Sequence, residues 1–486
     1  MAAGVITKPA GGAMLVLLLL LSALPAWGLR SPLGRRYPTD GGRRAPPAAA
    51  GDGPLFLTPL IESGELEKAR NLSKVVGISG YAYESHSGYL TVNKEHNSNL
   101  FFWFIEAKEN ADSAPVLLWL QGGPGASSLY AMFVENGPYS IDADLNLVPR
   151  NLTWVNTHNV LYIDNPVGTG FSFTDDDEGY AKNQDDVARD LYSGLVQFFT
   201  IFERFQTNDF YVTGESYAGK YVPAISYKIH QENPKADLKI NMKGMAIGDG
   251  LVDPINMLNY GDLLYSIGLV DANQKEFFTQ KAEETAQLIT QGDFMGAFNA
   301  WDVVVNGDKT PYPTYYHNVT GFVNYFNYLF PIDPNDPSTN PYNDFLNLPS
   351  TREAIHVGDR PYNDGQPVED HLLNDIMNSS KSMVEGVLDG GYRVMIYNGQ
   401  LDVIIAYTLT EQWLATAKWH GAEQYKNAER LIWRVDNEIA GYVRVADNLH
   451  EVMVRNAGHM LPTDQPEWAY ALINMFTMPD GPKWRQ

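Results

Sequence analysis

The sequence predicts an α/β protein built on an open, mostly parallel, twisted sheet with helices on both faces. Short apolar runs recur along the chain, most are followed by turn residues, and helical stretches such as Asp185–Ile201 lie between them. Several runs are continuously apolar rather than alternating, which is typical of strands buried on both faces of a parallel sheet. Strands that alternate with helices are the pattern of the α/β class. The predicted strands are Leu100–Ile105, Pro115–Leu120, Asn159–Asp164, Asp209–Thr213, Gly244–Ile247, Val394–Tyr397 and Val452–Val454.

Composition indicates a large folded protein and excludes several classes of function. The chain has 486 residues, of which 44% are hydrophobic, enough for an extensive core. Its 35 basic and 58 acidic residues give a formal net charge of −23, which would repel a nucleic acid from most of the surface and is compatible with an acidic compartment. Because the chain contains no cysteine, disulfides, zinc–thiolate sites and cysteine nucleophiles are excluded.

The first 53 residues are predicted to be a targeting segment and a leader. Residues 1–28 combine Lys8, an apolar run and small residues before a predicted cleavage after Gly28, the pattern of a signal peptide. A membrane anchor is the alternative, but the run is shorter than the ~20 residues that a spanning helix needs. Residues 29–53 are rich in proline, glycine and alanine with two Arg-Arg pairs, which predicts a flexible or removable leader.

Four Asn-x-Ser/Thr sequences fit a glycosylated protein of the secretory pathway. Together with the signal peptide, they predict a lysosomal or extracellular destination without a transmembrane anchor. The candidate glycosylation sites are Asn71, Asn151, Asn318 and Asn378.

The middle of the chain differs from the rest. Residues 251–345 are first charged and rich in Gln, Ala and Asn, with a helical pattern over 272–300, and then rich in Pro, Tyr and Asn. This segment is predicted to be a cap inserted between two parts of the α/β core, residues 54–250 and 346–486. A second independent domain is the alternative, since composition alone marks these boundaries.

A candidate nucleophile follows one predicted strand. The strand 209–213 leads into Gly214-Glu-Ser-Tyr-Ala-Gly219 and then into a predicted helix, the context of a nucleophile elbow. Such a sharp turn tolerates only small neighbours, which Gly214 and Ala218 provide. Ser216 is therefore the candidate nucleophile.

A base and an orienting acid follow in the chain order that this fold class requires. Asp402 comes after strand 394–397 through the turn Asn398-Gly-Gln400, and His459 comes after strand 452–454 through Asn456-Ala-Gly458. We expect Ser216 to attack a carbonyl carbon, His459 to take and return the proton, and Asp402 to orient the imidazole.

Two backbone N–H groups are expected to stabilise the oxyanion. Tyr217 N–H directly follows the nucleophile. The glycine-rich turn Trp119-Leu-Gln-Gly-Gly-Pro-Gly125 follows the strand 115–120, and Gly123 N–H is the predicted second donor.

Together these motifs resemble the serine carboxypeptidases. The resemblance rests on Trp119–Ser128, Asp164–Ser172, Gly214–Gly219, the Asp402 turn and His459–Pro466, and extends from about Asn71 to Met478. Within that family the chain looks most like the vitellogenic-like carboxypeptidases, through Gln121 in the glycine-rich turn, Gly248-Asp-Gly250 and Asn398-Gly-Gln-Leu-Asp402. The resemblance implies an α/β-hydrolase fold with an inserted cap, and removal of one residue at a time from the C-terminus of peptides through an acyl-enzyme.

The resemblance also implies a subsite for the free C-terminal carboxylate of the substrate. It maps onto Gln121, Gly122 and Glu215, with Trp119 nearby. Glu215 is expected to share a proton with Glu135 of the Glu135-Asn-Gly-Pro138 run, because two adjacent carboxylates cannot both ionise cheaply. A protonated Glu215 can donate to the substrate carboxylate, so peptide hydrolysis is expected to favour acidic pH.

The expected partners are peptides with a free C-terminus, and no cofactor or metal is expected, since no metal-ligand motif occurs among the histidines. A homodimer is compatible with the sequence. The alternatives are an esterase or acyltransferase on the same scaffold, and a non-catalytic binding or stabilising protein of the secretory lumen. Two departures stand out: the family usually has cysteine where this chain has Ala126, and asparagine where it has Gln121.

Overall fold

Ten strands pair into one sheet in the structure, a computed structural model that describes residues 53–310, 313–334, 336 and 339–484. Numbered in chain order, they are β1 Ser85–Asn93, β2 Ser98–Ile105, β3 Val116–Leu120, β4 Asn159–Ile163, β5 Phe210–Glu215, β6 Met242–Gly248, β7 Arg393–Gly399, β8 Arg430–Val435, β9 Glu438–Ala446 and β10 Leu449–Val454. Their order across the sheet is β1-β2-β4-β3-β5-β6-β7-β10-β9-β8.

The centre of this sheet is parallel and its two edges are antiparallel. The strands β4, β3, β5, β6, β7 and β10 run in one direction, while β1–β2 on one side and β9–β8 on the other return as antiparallel ribbons. The prediction of a mostly parallel α/β sheet is confirmed, and all seven predicted strands exist. The strands β1, β8 and β9 were not predicted. The sequence of β1 begins with Ser-His-Ser-Gly, which gives no apolar run although these residues are buried, and β8 and β9 have partly exposed polar positions that dilute the apolar signal.

The parallel strands end at the same level, which brings the residues after them to one edge of the sheet. Leu120 at the end of β3 pairs with Gly214, Glu215 at the end of β5 pairs with Gly248, and Gly399 at the end of β7 pairs with Val454. Ligands of open α/β sheets bind at the carboxyl ends of their strands. The candidate residues of the sequence analysis follow β3, β5, β7 and β10 at this edge.

Helices cover both faces of the sheet. The α-helices are Thr58–Glu62, Leu66–Leu72, Ser128–Tyr130, Gln184–Ile201, Ala218–Glu232, Tyr260–Ser266, Ala272–Gln291, Phe294–Trp301, Tyr315–Thr320, Tyr342–Leu346, Pro349–Ala354, Gln366–Ile376, Lys381–Asp389, Tyr407–Leu414, Ala422–Lys426, Leu461–Asp464 and Pro466–Phe476. Alternate side chains of β3 belong to different cores: Leu118 packs with residues of the helices 184–201 and 218–232, and Leu117 with residues of the helix 466–476. Each buried leucine contributes about 1.5–3 kcal/mol, so both faces stabilise the sheet.

The segment between β6 and β7 is helical in its described part and adds no strand to the main sheet. The helix predicted over 272–300 is two helices, 272–291 and 294–301, because Gly292 adopts a left-handed conformation with φ +78° between them. Two short ribbons lie outside the main sheet, one pairing 139–141 with 147–149 and the other 169–170 with 363–364.

The predicted signal peptide, residues 1–28, and all but the last residue of the predicted leader, residues 29–53, lie outside the described residues. Among the helices that the structure describes, none combines the length and apolar character needed to cross a membrane.

Candidate active site

Ser216 lies on a strained turn between β5 and the helix Ala218–Glu232. Its φ is +65°, a left-handed conformation that is uncommon for a residue with a side chain. Three backbone bonds hold it there: its N–H donates to Gly248 O at 3.0 Å, and its carbonyl accepts from Gly219 N at 2.9 Å and Leu251 N at 3.0 Å. The predicted strand–turn–helix context of a nucleophile elbow is present.

Two glycines let the elbow pack against the glycine-rich turn after β3. A Cβ on Gly122 would lie 2.5 Å from Tyr217 N and 2.6 Å from Ser216 Cβ. A Cβ on Gly214 would lie 2.5 Å from Leu120 O. The two turns therefore meet backbone to backbone at the nucleophile, and no side chain larger than hydrogen fits at Gly122 or Gly214.

Asp402 and His459 form a buried hydrogen-bonded pair. His459 Nδ1 lies 2.8 Å from Asp402 Oδ2, and both residues are almost fully buried. Asp402 also accepts the backbone N–H groups of Ile404 at 3.1 Å and Ile405 at 3.2 Å, which fix its carboxylate. An imidazole held through Nδ1 presents Nε2 as its free nitrogen.

The segment before β7 supports this histidine. The Phe326 ring stacks on the imidazole with centroids 4.9 Å apart, and Phe326 O accepts the His459 N–H at 2.8 Å. Tyr325 O accepts the N–H of Val403 at 3.0 Å, next to Asp402. No sequence motif indicates Tyr325 or Phe326, since both lie in the Pro/Tyr/Asn-rich stretch.

The structure brings Asp402 and His459 into contact and places Ser216 on the same sheet edge. His459 Nε2 is buried and has no hydrogen-bond partner among the described residues, Ser216 Oγ included. Catalytic hydrogen bonds are often long without substrate and shorten in the substrate complex, so this arrangement is compatible with transfer of a proton from Ser216 to His459.

Gly123 and Tyr217 present backbone N–H groups beside Ser216. All three residues line one pocket. In the described part of the chain, neither N–H donates to a protein acceptor. Two unengaged N–H groups next to a nucleophile are the composition of an oxyanion hole.

A chain of buried polar groups lies on the other side of the elbow. Trp119 Nε1 donates to Gln121 Oε1 at 2.9 Å, and Gln121 Nε2 donates to Glu215 Oε1 at 3.2 Å. The carboxyl groups of Glu215 and Glu135 are close enough for each to shift the pKa of the other. Both oxygens of Glu135 and Oε2 of Glu215 are buried without a hydrogen-bond partner among the described residues. The structure thus brings together four residues predicted for the carboxylate subsite, and Gly122 lies against the elbow beside them. The four are Trp119, Gln121, Glu215 and Glu135.

The electrostatics of this cluster favour a shared proton. Burial, followed by the charge of Glu135, raises the pKa of Glu215 well above its usual range. Burial raises the pKa of Glu135 to about 7, although the contact with Glu215 and the charge of Arg150 act in the opposite direction. At acidic pH the pair therefore holds at least one proton between its two carboxyl groups.

Glu135 occupies the end of a π-helical turn, Ala131–Glu135, a type of segment often found at functional sites. Arg150 holds the following chain by donating to Gly137 O at 3.1 Å, to Tyr139 O at 2.8 Å and to Phe133 O. This partly buried guanidinium holds the turn on which Glu135 lies.

Asp249 is a further acid at the site. It follows β6, between the strands that carry Ser216 and Asp402, and it is fully buried with φ +40°. Its Oδ1 accepts Gly399 N at 2.9 Å and Asn398 Nδ2 at 3.3 Å, while its carboxyl group also contacts that of Asp402. Burial and then the charge of Asp402 raise the pKa of Asp249 well above its usual range.

In the sequence, Asp249 stands out only as part of the Gly248-Asp-Gly250 run that carries the family resemblance. Its position could have been predicted, because a residue directly after a central parallel strand lies at the carboxyl edge of the sheet, between the turns that follow the two adjacent strands. In the part of the chain that the structure describes, Asp249, Asp402 and His459 bring three potential metal ligands within 4.8 Å of one another. The hydrogen bond between Asp402 and His459, and the contact between the two aspartates, account for this proximity.

The pocket at Ser216 has a mostly apolar surface. Gly123, Pro124, Ser216 and Tyr217 line it together with the apolar side chains of Leu251, Trp301, Ile376, Ile404 and Ile405. Three polar residues also contribute to its lining: Asn306, Asp308 and Glu369. None of the residues around the Glu215–Glu135 pair lines this pocket.

The four candidate glycosylation sites are all exposed, at positions where a glycan has access to solvent. They are Asn71, Asn151, Asn318 and Asn378.

Comparison with known proteins identifies the family. Residues 78–478 match the profile of the family described as serine carboxypeptidase. The chain belongs to the serine carboxypeptidase family. This confirms the family and the α/β-hydrolase fold that the motifs implied.

Several curated members of the serine carboxypeptidase family align with nearly the whole chain. The venom serine carboxypeptidase of Apis mellifera is 52% identical over 429 residues, which cover 88% of this chain and 91% of the relative. The probable serine carboxypeptidase CPVL of Homo sapiens is 48% identical, covering 96% and 97%. The vitellogenic carboxypeptidase of Aedes aegypti is 44% identical, covering 89% and 91%.

A solved structure of another carboxypeptidase has the same fold. The crystal structure of a prohormone-processing carboxypeptidase from Saccharomyces cerevisiae superimposes with a TM-score of 0.72 at 24% identity, covering 84% of this chain and 96% of that one.

Replacement of Gly122 by alanine is expected to impair the oxyanion hole of this serine carboxypeptidase. The added Cβ would lie 2.5 Å from Tyr217 N, so the elbow or the glycine-rich turn must shift. Displacement of one oxyanion donor costs about 10²–10³-fold in kcat. Steady-state kinetics on an ester substrate measures the loss. Gly194→Ala is the control, since its Cβ would lie at ordinary contact distance, 3.4 Å from Leu100 Cδ1 and 3.9 Å from Val92 Cγ1. A similar loss in both variants would contradict the assignment.

Replacement of Asp249 by asparagine is expected to reduce the loss of stability with rising pH. Because burial and the charge of Asp402 raise its pKa, Asp249 is expected to keep its proton to a higher pH in the folded chain than in the unfolded chain, where its pKa is about 3.9. The contribution of Asp249 to the free energy of unfolding is therefore greatest below about pH 4. Above that pH it falls by about 1.4 kcal/mol per pH unit, until the pH reaches the pKa of Asp249 in the folded chain. The asparagine side chain in Asp249→Asn has no such proton to lose.

Thermal unfolding between pH 5 and 7 measures this difference. We expect the midpoint of the wild type to fall relative to that of Asp249→Asn by about 1–2 °C per pH unit. Exposed Glu109→Gln should run parallel to the wild type. If Asp249→Asn also runs parallel to it, Asp249 is not protonated in the folded chain.

Proposed function

We propose that this chain is a serine carboxypeptidase that releases C-terminal residues from peptides at acidic pH through an acyl-enzyme on Ser216. The observation that supports it most strongly is the buried chain of Gln121, Glu215 and Glu135 beside the elbow. A hydrolase acting on neutral esters has no use for carboxyl groups that hold a proton in a buried subsite, whereas recognition of a free substrate carboxylate does.

In the first step, Ser216 Oγ attacks the carbonyl carbon of the last peptide bond while His459 Nε2 takes its proton. Asp402 holds the imidazole through the 2.8 Å bond to Nδ1 and stabilises the imidazolium. The N–H groups of Gly123 and Tyr217 donate to the oxyanion. The C–N bond then breaks, His459 returns the proton to the leaving nitrogen, and the C-terminal amino acid departs.

The second step hydrolyses the acyl-enzyme. His459 removes a proton from a water molecule, whose oxygen attacks the same carbonyl carbon, and the same two N–H groups stabilise the second oxyanion. Collapse of this intermediate breaks the bond to Ser216 Oγ, which regains its proton from His459. The shortened peptide leaves with a new free carboxylate.

The substrate carboxylate binds beside the Glu215–Glu135 pair, where a shared proton reduces the negative charge of the two carboxyl groups. Gln121 Nε2, Gly122 N–H and a protonated Glu215 act as its three donors. Once the Glu215–Glu135 pair has lost its shared proton, a substrate carboxylate would meet one or two anions in a buried site, which costs binding energy. Affinity for peptides with a free C-terminus therefore falls as pH rises, whereas C-terminal amides lack this dependence.

The proposed setting is the lumen of the secretory pathway, with a lysosomal or extracellular destination. The predicted signal peptide, the four exposed Asn-x-Ser/Thr sequences and the acidic preference support it. We also propose that residues 251–345 form a cap over the site, since Leu251, Trp301, Asn306 and Asp308 contribute to the pocket at Ser216. Assembly as a homodimer stays a prediction.

The first test compares an N-blocked dipeptide with its C-terminal amide over pH 4 to 8, using protein without its first 53 residues. Hydrolysis of the free acid should be fastest near pH 5 and decline toward pH 7, and that of the amide should not follow this decline. Ser216→Ala should lose at least about 10³-fold in kcat on both. If the protein hydrolyses a small ester but not the dipeptide, the result favours an esterase or acyltransferase. Inactivity on the dipeptide, its amide and the ester would favour a binding protein.

Replacement of Glu215 by glutamine tests the protonation of the pair. The glutamine side chain keeps a donor at the substrate carboxylate but cannot ionise, so the decline of kcat/KM on the free acid between pH 5 and 7 should become shallower in Glu215→Gln. The pH profile of Glu215→Gln on the free acid should thus be flatter than that of the wild type, while its profile on the C-terminal amide stays unchanged. A slope equal to that of the wild type would contradict the role of Glu215.

A further inference from the structure

Asp375 is a buried acid beside the nucleophile elbow that the proposed mechanism does not use. It lies in the last turn of the helix Gln366–Ile376 and is 5% exposed. Its Oδ2 accepts a hydrogen bond from Gln184 Nε2 at 2.6 Å and a longer one from the Tyr217 hydroxyl at 3.4 Å. Because the backbone N–H of Tyr217 is a proposed oxyanion donor, a single side chain links this carboxylate to the oxyanion hole.

Lys220 binds the same end of the helix to the elbow. It lies in the first turn of the helix Ala218–Glu232, directly after the elbow, and is fully buried. Its ammonium group donates to Asp375 O at 2.7 Å and to Asn378 O, and it lies 3.8 Å from Asp375 Oδ2. Asp375 is therefore held against the elbow by its main chain as well as by its side chain.

The ring of Tyr217 is restrained by packing as well as by its hydroxyl. Its centroid lies 5.2 Å from that of Tyr221, with the two rings inclined at 74°, and Lys220 Nζ lies 5.8 Å from it. Since the N–H and the side chain of a residue are joined through its N–Cα bond, a rotation that turns the N–H relative to the ring must move one of them. A ring held at both its face and its hydroxyl therefore restricts the direction of the Tyr217 N–H.

The other end of the helix Gln366–Ile376 contacts the turn that carries the second oxyanion donor. Gly365 directly precedes the helix, has φ +81° and packs against Gly125 backbone to backbone. A Cβ on Gly125 would lie 2.7 Å from Gly365 O, so only glycine fits there. Gly125 is two residues after Gly123, the second proposed donor. One helix thus contacts both of the turns that supply the oxyanion hole.

The charges of Asp375 and Lys220 favour a role in geometry over a role in stability. Desolvation of two buried ions offsets most of their attraction, so such a pair contributes little to the free energy of unfolding. Its hydrogen bonds do restrict the chain to one arrangement. A donor that must meet a charge formed only in the transition state needs rigid support of this kind.

We propose that Asp375 is a positioning residue, which holds the Tyr217 side chain and thereby aligns the Tyr217 N–H with the oxyanion. This inference rests on the proposed function, which makes that N–H an oxyanion donor. Asp375 is not among the described residues that line the pocket at Ser216, so it acts through Tyr217. Loss of the contact should lower kcat and leave KM nearly unchanged, because the oxyanion exists only after substrate has bound.

The test compares an ester of an N-blocked amino acid with its thionoester, in which sulfur replaces the carbonyl oxygen. Sulfur is a weak hydrogen-bond acceptor, so the ratio of the two kcat/KM values reports how well the oxyanion hole donates to the reacting atom. We expect Asp375→Ala to lower this ratio about tenfold, less than the 10²–10³-fold cost of removing a donor outright. A loss of folded protein lowers both rates equally and leaves the ratio unchanged.

Tyr217→Phe is the second variant, since it removes the hydroxyl and keeps the ring and the backbone N–H. It should lower the ratio by a similar factor. In the double variant the ratio should fall no further than in either single one, because all three variants break the same contact. A ratio unchanged in Asp375→Ala or in Tyr217→Phe, or losses that multiply in the double variant, would overturn the proposal.

Tyr425→Phe is the matched control, because it also removes a tyrosine hydroxyl from a buried carboxylate. Tyr425 donates to Glu451 Oε2 at 2.9 Å, and Glu451 lies within β10 rather than in a turn at the carboxyl edge of the sheet. This variant should keep the ratio of the wild type. A fall equal to that of Tyr217→Phe would show that the ratio does not report the oxyanion hole and would overturn the proposal.

The esters separate this inference from the proposed function, because they do not need the carboxylate subsite. A ratio that depends on Asp375 without cleavage of an N-blocked dipeptide would support the positioning role and refute the carboxypeptidase. Cleavage of the dipeptide with a ratio unchanged in Asp375→Ala would support the carboxypeptidase and refute the positioning role. A wild type inactive on the esters and on the dipeptide would overturn both.

Discussion

The parallel pairing of the central strands is the constraint on which the rest of the structure depends. Because β3, β5, β6, β7 and β10 end at one level, the five turns that follow them converge at a single edge. Each turn can then supply one group: backbone donors, a nucleophile, two acids and a base. Buried apolar side chains on both faces of the sheet hold this register, so the site is built at the edge of the densely packed core.

The residues whose positions follow from strand order could be predicted from the sequence. Ser216, Asp402 and His459 each come shortly after an apolar run, and parallel topology brings such positions together whatever their separation in the chain. The glycine-rich turn could be predicted because close backbone contact needs glycine, as the contact between Gly122 and the elbow shows.

Other residues could not be predicted, because their placement depends on irregular chain. Phe326 and Glu369 reach the site from outside the parallel strands, and no periodicity in the sequence indicates where such segments return. Asp249 follows a central strand, but sequence alone does not show that its carboxyl group turns toward Asp402 rather than solvent. Even for well-placed residues, orientation depends on packing.

The contact of Phe326 with His459 links the proposed cap, residues 251–345, to the proposed general base. This segment gives the imidazole one aromatic contact and one backbone acceptor, so in our proposal it also supports the catalytic histidine. Insertions between the strands of a hydrolase are commonly regarded as modules that can be exchanged to alter specificity. In this chain an exchange that moves Phe326 would change the support of the general base together with the binding pocket, which ties the evolution of specificity to the maintenance of catalysis.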